Sequence, residues 1–199
     1  MSADFPSAPP PGGPPAAPAA PAPPASTSGL VYADVPNRII AYILDAILVG
    51  LFTFVVGVIL AGLGLTAVTV NPDLSVSVNY AGAFVQGILG LLISAAYFIY
   101  TWTRMRATLG MRVLGMQIGN AGDGATMTTN QGIRRYVALS APAIIAQVFN
   151  AIPLIGVVIG LAGLVWYIWL IYTMAQSPTK QGWHDTFANT QVVKSARSV

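Results

Sequence analysis

From Ile39 to Val70 the only charged residue is Asp45, and Arg38 lies seven positions before it at the edge of the same apolar run. On a helix of 3.6 residues per turn, that spacing puts both side chains on nearly the same face, about 10 Å apart along the axis. An ionised carboxylate in hydrocarbon costs about 2.5–3.5 kcal/mol on insertion scales, so Asp45 is expected to face a bundle or water. Two chemistries fit it: a structural acid tying helices together, or a group that carries a proton or cation. Arg38 reads as a snorkelling anchor at the interface that also screens Asp45. Seven residues back from Trp102, the inner end of the next apolar segment, the hydroxyls of Ser94 and Tyr97 fall at Asp45's depth. Tyr42, on Asp45's own helix, is a third candidate partner.

A second pair, His184-Asp185, resembles a catalytic dyad only superficially. Adjacent side chains point apart and no serine or metal partner is nearby, so no enzyme is expected. Trp183 is expected to pack at the interface, and Asp185 to cap a short C-terminal flap or to pair with a loop arginine such as Arg112. With no Cys and one His, the chain can build neither a thiolate site nor a multi-His cage, and no metal or cofactor is expected.

The elements that must position these residues follow from composition. Of 199 residues 55% are hydrophobic and 8% charged, with a mean hydropathy of +0.68, whereas soluble domains are about a quarter charged. A small integral membrane protein is implied, and the net charge of +3 is too thin for a nucleic-acid surface. The expected fold is an all-α four-helix transmembrane bundle with spans near 39–61, 81–102, 133–149 and 154–174. Asn150-Ala-Ile-Pro153 is read as the turn dividing the last two. The 104–135 loop carries five Arg against Asp123, and the 62–80 loop only Asp73, so the large loop and both termini are expected in the cytoplasm. The lipid bilayer is the first expected partner. Gly87, Gly90 and Ser94, with Gly156 and Gly160, would allow close helix approach within the chain, to a second copy, or to a partner membrane protein.

Residues 1–34 are expected to be a disordered Pro/Ala-rich tail, since Pro6 to Pro24 holds ten of the fifteen prolines and no apolar stretch resembling a signal peptide. Residues 35–194 form the expected membrane domain and 195–199 a short tail. Inside the basic loop, Arg112 to Ile118 alternates like a strand and precedes Gly122-Asp-Gly124, which predicts a small cytoplasmic hairpin that Gln191-Val-Val193 can join. Thr128 and Thr129 can cap a helix starting near Gln131. Trp166, Tyr167, Trp169 and Tyr172 are placed to form an interfacial aromatic belt or ordinary packing.

Three motifs in order, Asn37-Arg38-Ile-Ile-Ala41-Tyr-Ile-Leu-Asp45, Thr108-Leu-Gly110-Met-Arg112-Val-Leu-Gly115 and Gln181-Gly182-Trp-His184-Asp185, resemble those of the RDD family of bacterial membrane proteins. The resemblance covers about Val35 to Lys194. It implies that the family's arginine and two aspartates are Arg38, Asp45 and Asp185, and that the protein sits in a bacterial inner membrane. It also implies transport of an ion or small solute as one function. The alternative is a non-transporting interaction subunit that engages another membrane protein through its Pro-rich tail or glycine-faced helices.

Overall fold

The computed structural model describes residues 30–149 and 153–195. The chain enters along Val31–Ala33 and turns into α1 (Val35–Gly62), with Pro36 in its first turn, where a missing N–H costs nothing. A hairpin of β1 (Val68–Val70) and β2 (Val76–Val78) leads to α2 (Tyr80–Arg104), whose N-cap Asn79 accepts from the Gly82 N–H. Then come the short α3 (Leu109–Val113), β3 (Met116–Asn120), α4 (Thr129–Phe149), α5 (Pro153–Gln176), α6 (Trp183–Ala188) and β4 (Thr190–Lys194).

Helix α1 is built opposite to a helix of a soluble protein. Its buried residues are Arg38, Ala41 and Asp45, while Ile43, Ile47 and Leu51 on the outer flanks are 50–63% exposed. Apolar side chains face out and polar ones face in, an arrangement stable only against lipid. Helices α1, α2 and Ile155–Gln176 of α5 are each long and apolar enough to cross a membrane. The less apolar α4 packs against α2, α5 and α6. Its Thr128 and Gln131 form a capping box: the Thr128 hydroxyl accepts from the Gln131 N–H at 3.3 Å, and the Gln131 side chain accepts from the Thr128 N–H at 2.8 Å.

Pro142 inside α4 cannot donate to Ala138, and the indole N–H of Trp166 on α5 donates to that freed carbonyl at 3.2 Å. Gly163 lies against the Pro142 ring, where an added Cβ would approach to 3.1 Å. The proline that interrupts α4 thus becomes its contact with α5. The division of the last two helices at Asn150 to Ile152 falls outside the described residues, as does the tail over 1–29.

Two expectations about the basic end of the bundle are corrected. Arg112 to Ile118 does not open a local hairpin: Leu109–Val113 is helical, and β3 pairs antiparallel with β4, in register Ile118↔Val192. The reason is the Thr108 hydroxyl, which accepts from the Met111 N–H and starts a helical turn before strand alternation can begin. The tail also ends earlier than residue 34. Ala33 donates its N–H to Val192 O, and Val31 O accepts from Lys194, so Tyr32 and Ala33 are buried beside β4.

Candidate functional site

Asp185, with no exposed surface, is the centre of the basic end. Helix α6 is too short to bury it alone: Arg38 from the first turn of α1 and Arg135 from the second turn of α4 reach it, and the Thr190 hydroxyl of β4 donates to its backbone carbonyl at 3.4 Å. Its Oδ2 accepts from the Gly182 N–H at 2.9 Å and from Arg38 of α1, and its Oδ1 pairs with Arg135 of α4. Arg38 also donates to the Lys180 carbonyl, and Arg135 to the Thr190 hydroxyl at 2.9 Å. The Arg135 guanidinium lies 5.1 Å from the Trp102 ring centroid, where a cation is favoured over an aromatic face.

Two expectations change here. Arg38 is not a snorkelling anchor that screens Asp45: it is 7% exposed and bound to Asp185, because the returning C-terminal flap offers a carboxylate closer than the interface does. Asp185 does cap its helix, but its arginines are Arg38 and Arg135. Arg112 stays exposed on α3 and reaches only the Met105 carbonyl, at 3.5 Å. Arg135 was legible only as loop charge. A sharper signal is its place among Gly132, Arg135, Tyr136 and Leu139, a buried stripe at helical spacing.

His184, 3% exposed, sits with Nε2 3.6 Å from Asp185 Oδ2. Burial first, then the guanidiniums of Arg135 and Arg38, hold its pKa well below the ordinary histidine value. Trp183 leaves this polar cluster and stacks on Phe187, and with Trp166 and Trp169 it forms an aromatic seam joining α5 to α6.

Asp45, 2% exposed, is a separate node. Its Oδ1 accepts from the Tyr97 hydroxyl at 2.7 Å and from the Gly110 N–H at 2.9 Å, which fastens α1, α2 and α3 to one another. Gly110 is required there: an added Cβ would lie 2.3 Å from the Ala41 carbonyl oxygen. Ser94 does not reach Asp45; its hydroxyl pairs with Tyr136 of α4. Tyr42 makes no hydrogen bond to it either, and its ring lies between Phe98, at 6.1 Å, and Tyr167, at 6.4 Å.

Between the two nodes lies a cavity of about 160 Å³. Arg38, Arg135 and His184 line it from the basic end and Asp45 and Tyr42 from the other, with an apolar wall that includes Phe98, Leu139, Leu170 and Met174. Both protein donors to Asp45 meet Oδ1, so Oδ2 has no protein donor among the described residues. Ile171 of α5, which also lines the cavity, is 37% exposed. A second cavity, of about 380 Å³, lies farther along α1, α2 and α4 and is lined by Thr53, Gly57, Gln86, Gly90 and Gln147 among others. Gly156 and Gly160 of α5 face open space.

Among the described residues no group of His and acids is arranged to hold a metal ion. The uncharacterized protein YxaI of Bacillus subtilis (strain 168) is similar to this chain, 29% identical over 167 residues that make up 78% of the chain and 93% of that protein. No solved structure matches. The sequence model of the RDD family matches residues 32–189, the stretch that runs from the strand beside β4 to the end of α6 and contains both aspartate nodes, and the chain belongs to the RDD family.

Proposed function

We propose that this protein is a multi-pass transporter that moves an ion or small solute through the bundle, with Asp45 at the centre of the path. The observation that carries the reading is the cavity that reaches Asp45, whose Oδ2 has no protein donor among the described residues. A purely structural acid in hydrocarbon would be fully paired and dry. The second cavity, along the same three helices, supports a path that continues beyond Asp45. In this reading α4 is the fourth span and the arginine-rich end, with both termini, lies in the cytoplasm of a bacterial inner membrane. His184 and Asp185 are taken up in an ion cluster, which supports a role without covalent chemistry.

The test is ion and proton flux in proteoliposomes containing the parent, Asp45→Asn or Arg38→Gln protein. Asp45→Asn should abolish flux while leaving folded protein in the membrane, and equal flux in it and the parent removes Asp45 from the path. A competing reading as an interaction subunit draws on Gly156 and Gly160, whose open faces would admit another helix. Absence of flux across the whole ion panel would favour it. Orientation is tested separately, since a chain without Cys lets introduced ones report cleanly. A cysteine at Asp73 should label from outside intact cells, and ones at Asp123 and Ser195 should not.

A further inference from the structure

The buried charges around the cavity do not balance without Asp45. Arg38 and Arg135 share one carboxylate, Asp185, and that cluster carries an excess positive charge. His184 adds none, because burial and both guanidiniums keep it neutral. Asp45 is the remaining buried acid among the described residues, and it lines the same cavity. With Asp45 ionised the wall is neutral. With a proton on Asp45 the wall carries an uncompensated charge beside Phe98, Leu139 and Leu170, which cannot solvate it.

Among the described residues no other group on the surrounding elements supplies the missing negative charge: Asp34, at the N-cap of α1, has a half-exposed side chain and is paired with Lys194 at 3.1 Å. Tyr42 on α1, Tyr97 on α2, Tyr136 on α4 and Tyr167 on α5 present hydroxyls rather than carboxylates. Arg112 on α3 is exposed and cationic, and α6 contributes only His184 and Asp185. Hydrogen bonding is lopsided in the same sense. Among the described residues, three buried atoms of cavity-lining side chains have no hydrogen-bond partner, Arg135 Nε, Trp102 Nε1 and His184 Nδ1, and the first two are donor-only.

We propose that this cavity binds a small monovalent anion together with a proton on Asp45. The pair is neutral, so it restores the balance that protonation alone would upset, and the apolar wall suits a carboxylate with a short carbon skeleton. The inference rests on the transport reading for its consequence, which is proton–anion symport, but binding is measurable apart from flux. The same acceptor chemistry could come from a soluble anion or from the phosphate of an anionic lipid of the surrounding bilayer.

The test uses the full-length protein in phosphatidylcholine nanodiscs, titrated with chloride, nitrate and acetate by calorimetry, with proton uptake followed in weak buffer. The parent should take up one proton per anion bound, and one-proton linkage weakens its apparent affinity about tenfold per pH unit on the alkaline side. Asp45→Asn, neutral at every pH, should bind at pH 8 at least about tenfold more tightly than the parent, with no proton uptake and no pH dependence. If that variant fails to fold, the proton stoichiometry of the parent decides. Proton uptake that follows phosphatidylglycerol content, with soluble anions inert, upholds the site and makes a lipid phosphate its occupant. No response to either source, or proton release on adding sodium, overturns the proposal. Flux without anion-linked proton uptake refutes this inference and leaves transport standing, whereas anion-linked uptake without flux does the reverse.

Discussion

Replacing Asp185 with asparagine changes one charge and almost no volume. The amide oxygen can still accept from the Gly182 N–H, so the helix cap survives and the roughly 1 kcal/mol of that hydrogen bond is retained. The two arginines lose the carboxylate they share, and both are more than nine-tenths buried. Removing one partner of a buried ion pair costs about 3–5 kcal/mol, because the other charge is left without compensation. Two stranded guanidiniums place Asp185→Asn at the upper end of that range. His184→Ala should cost less, about 1–2 kcal/mol, since the imidazole is neutral and its loss mainly opens a void. Unfolding in detergent followed by tryptophan fluorescence suits the measurement, with Trp102 under Arg135 and Trp183 on the flap as local reporters. The decisive comparison is a double-mutant cycle. Adding Arg38→Met to Asp185→Asn removes a stranded charge, so the two losses should fall short of additive by about 1–3 kcal/mol. A loss under about 1 kcal/mol for Asp185→Asn, or strict additivity in the cycle, would refute the charge cluster as the lock that holds α1, α4 and α6 together.

Gly110→Ala would drive a Cβ to 2.3 Å from the Ala41 carbonyl oxygen, which is backbone and cannot turn aside. A loss of about 1–3 kcal/mol, with faster tryptic cleavage around Arg106 and Arg112, is expected; a protein as stable as the parent would contradict the close packing of α3 on α1. Trp166→Phe should cost about 1 kcal/mol by leaving the Ala138 carbonyl unpaired, and less in a Pro142→Ala background, where the helix bond re-forms. Equal costs in both backgrounds would show that the indole does not serve that carbonyl. Because the folded protein holds His184 below its unfolded pKa of about 6.5, the unfolded chain gains a proton first on acidification, and stability should fall by up to about 1.4 kcal/mol per pH unit from about pH 6.5 down to pH 5. Unfolding midpoints measured across that window should flatten in His184→Gln, and identical slopes would count against a neutral buried imidazole.

Composition and periodicity alone determined the membrane class and the long apolar helices, because a hydrocarbon core imposes a length and a polarity that any spanning segment must display locally. Burial of Asp45 was legible for the same reason, as was Tyr97 as its partner, since depth in an antiparallel pair follows from counting residues. The strand at Gln191 to Val193 was also legible as a partner for the alternating segment that ends at Ile118. What the linear chain does not display is which distant charges meet. Arg38 pairs with Asp185, 147 positions later in the chain, rather than screening Asp45, and the pairing is decided by how the flap folds back over α1. Arg135 joins them because the capping box at Thr128 sets the helical phase that turns it inward while Arg134, its neighbour, stays exposed. Thr108 and Gly110 likewise look like strand-leading loop residues until α1 lies against them: the hydroxyl starts a turn, and the absent side chain admits the Ala41 backbone. Local sequence specifies where a helix begins and which face is apolar, whereas the partners of buried charges depend on the approach of segments far apart in the chain, and only the assembled bundle decides them.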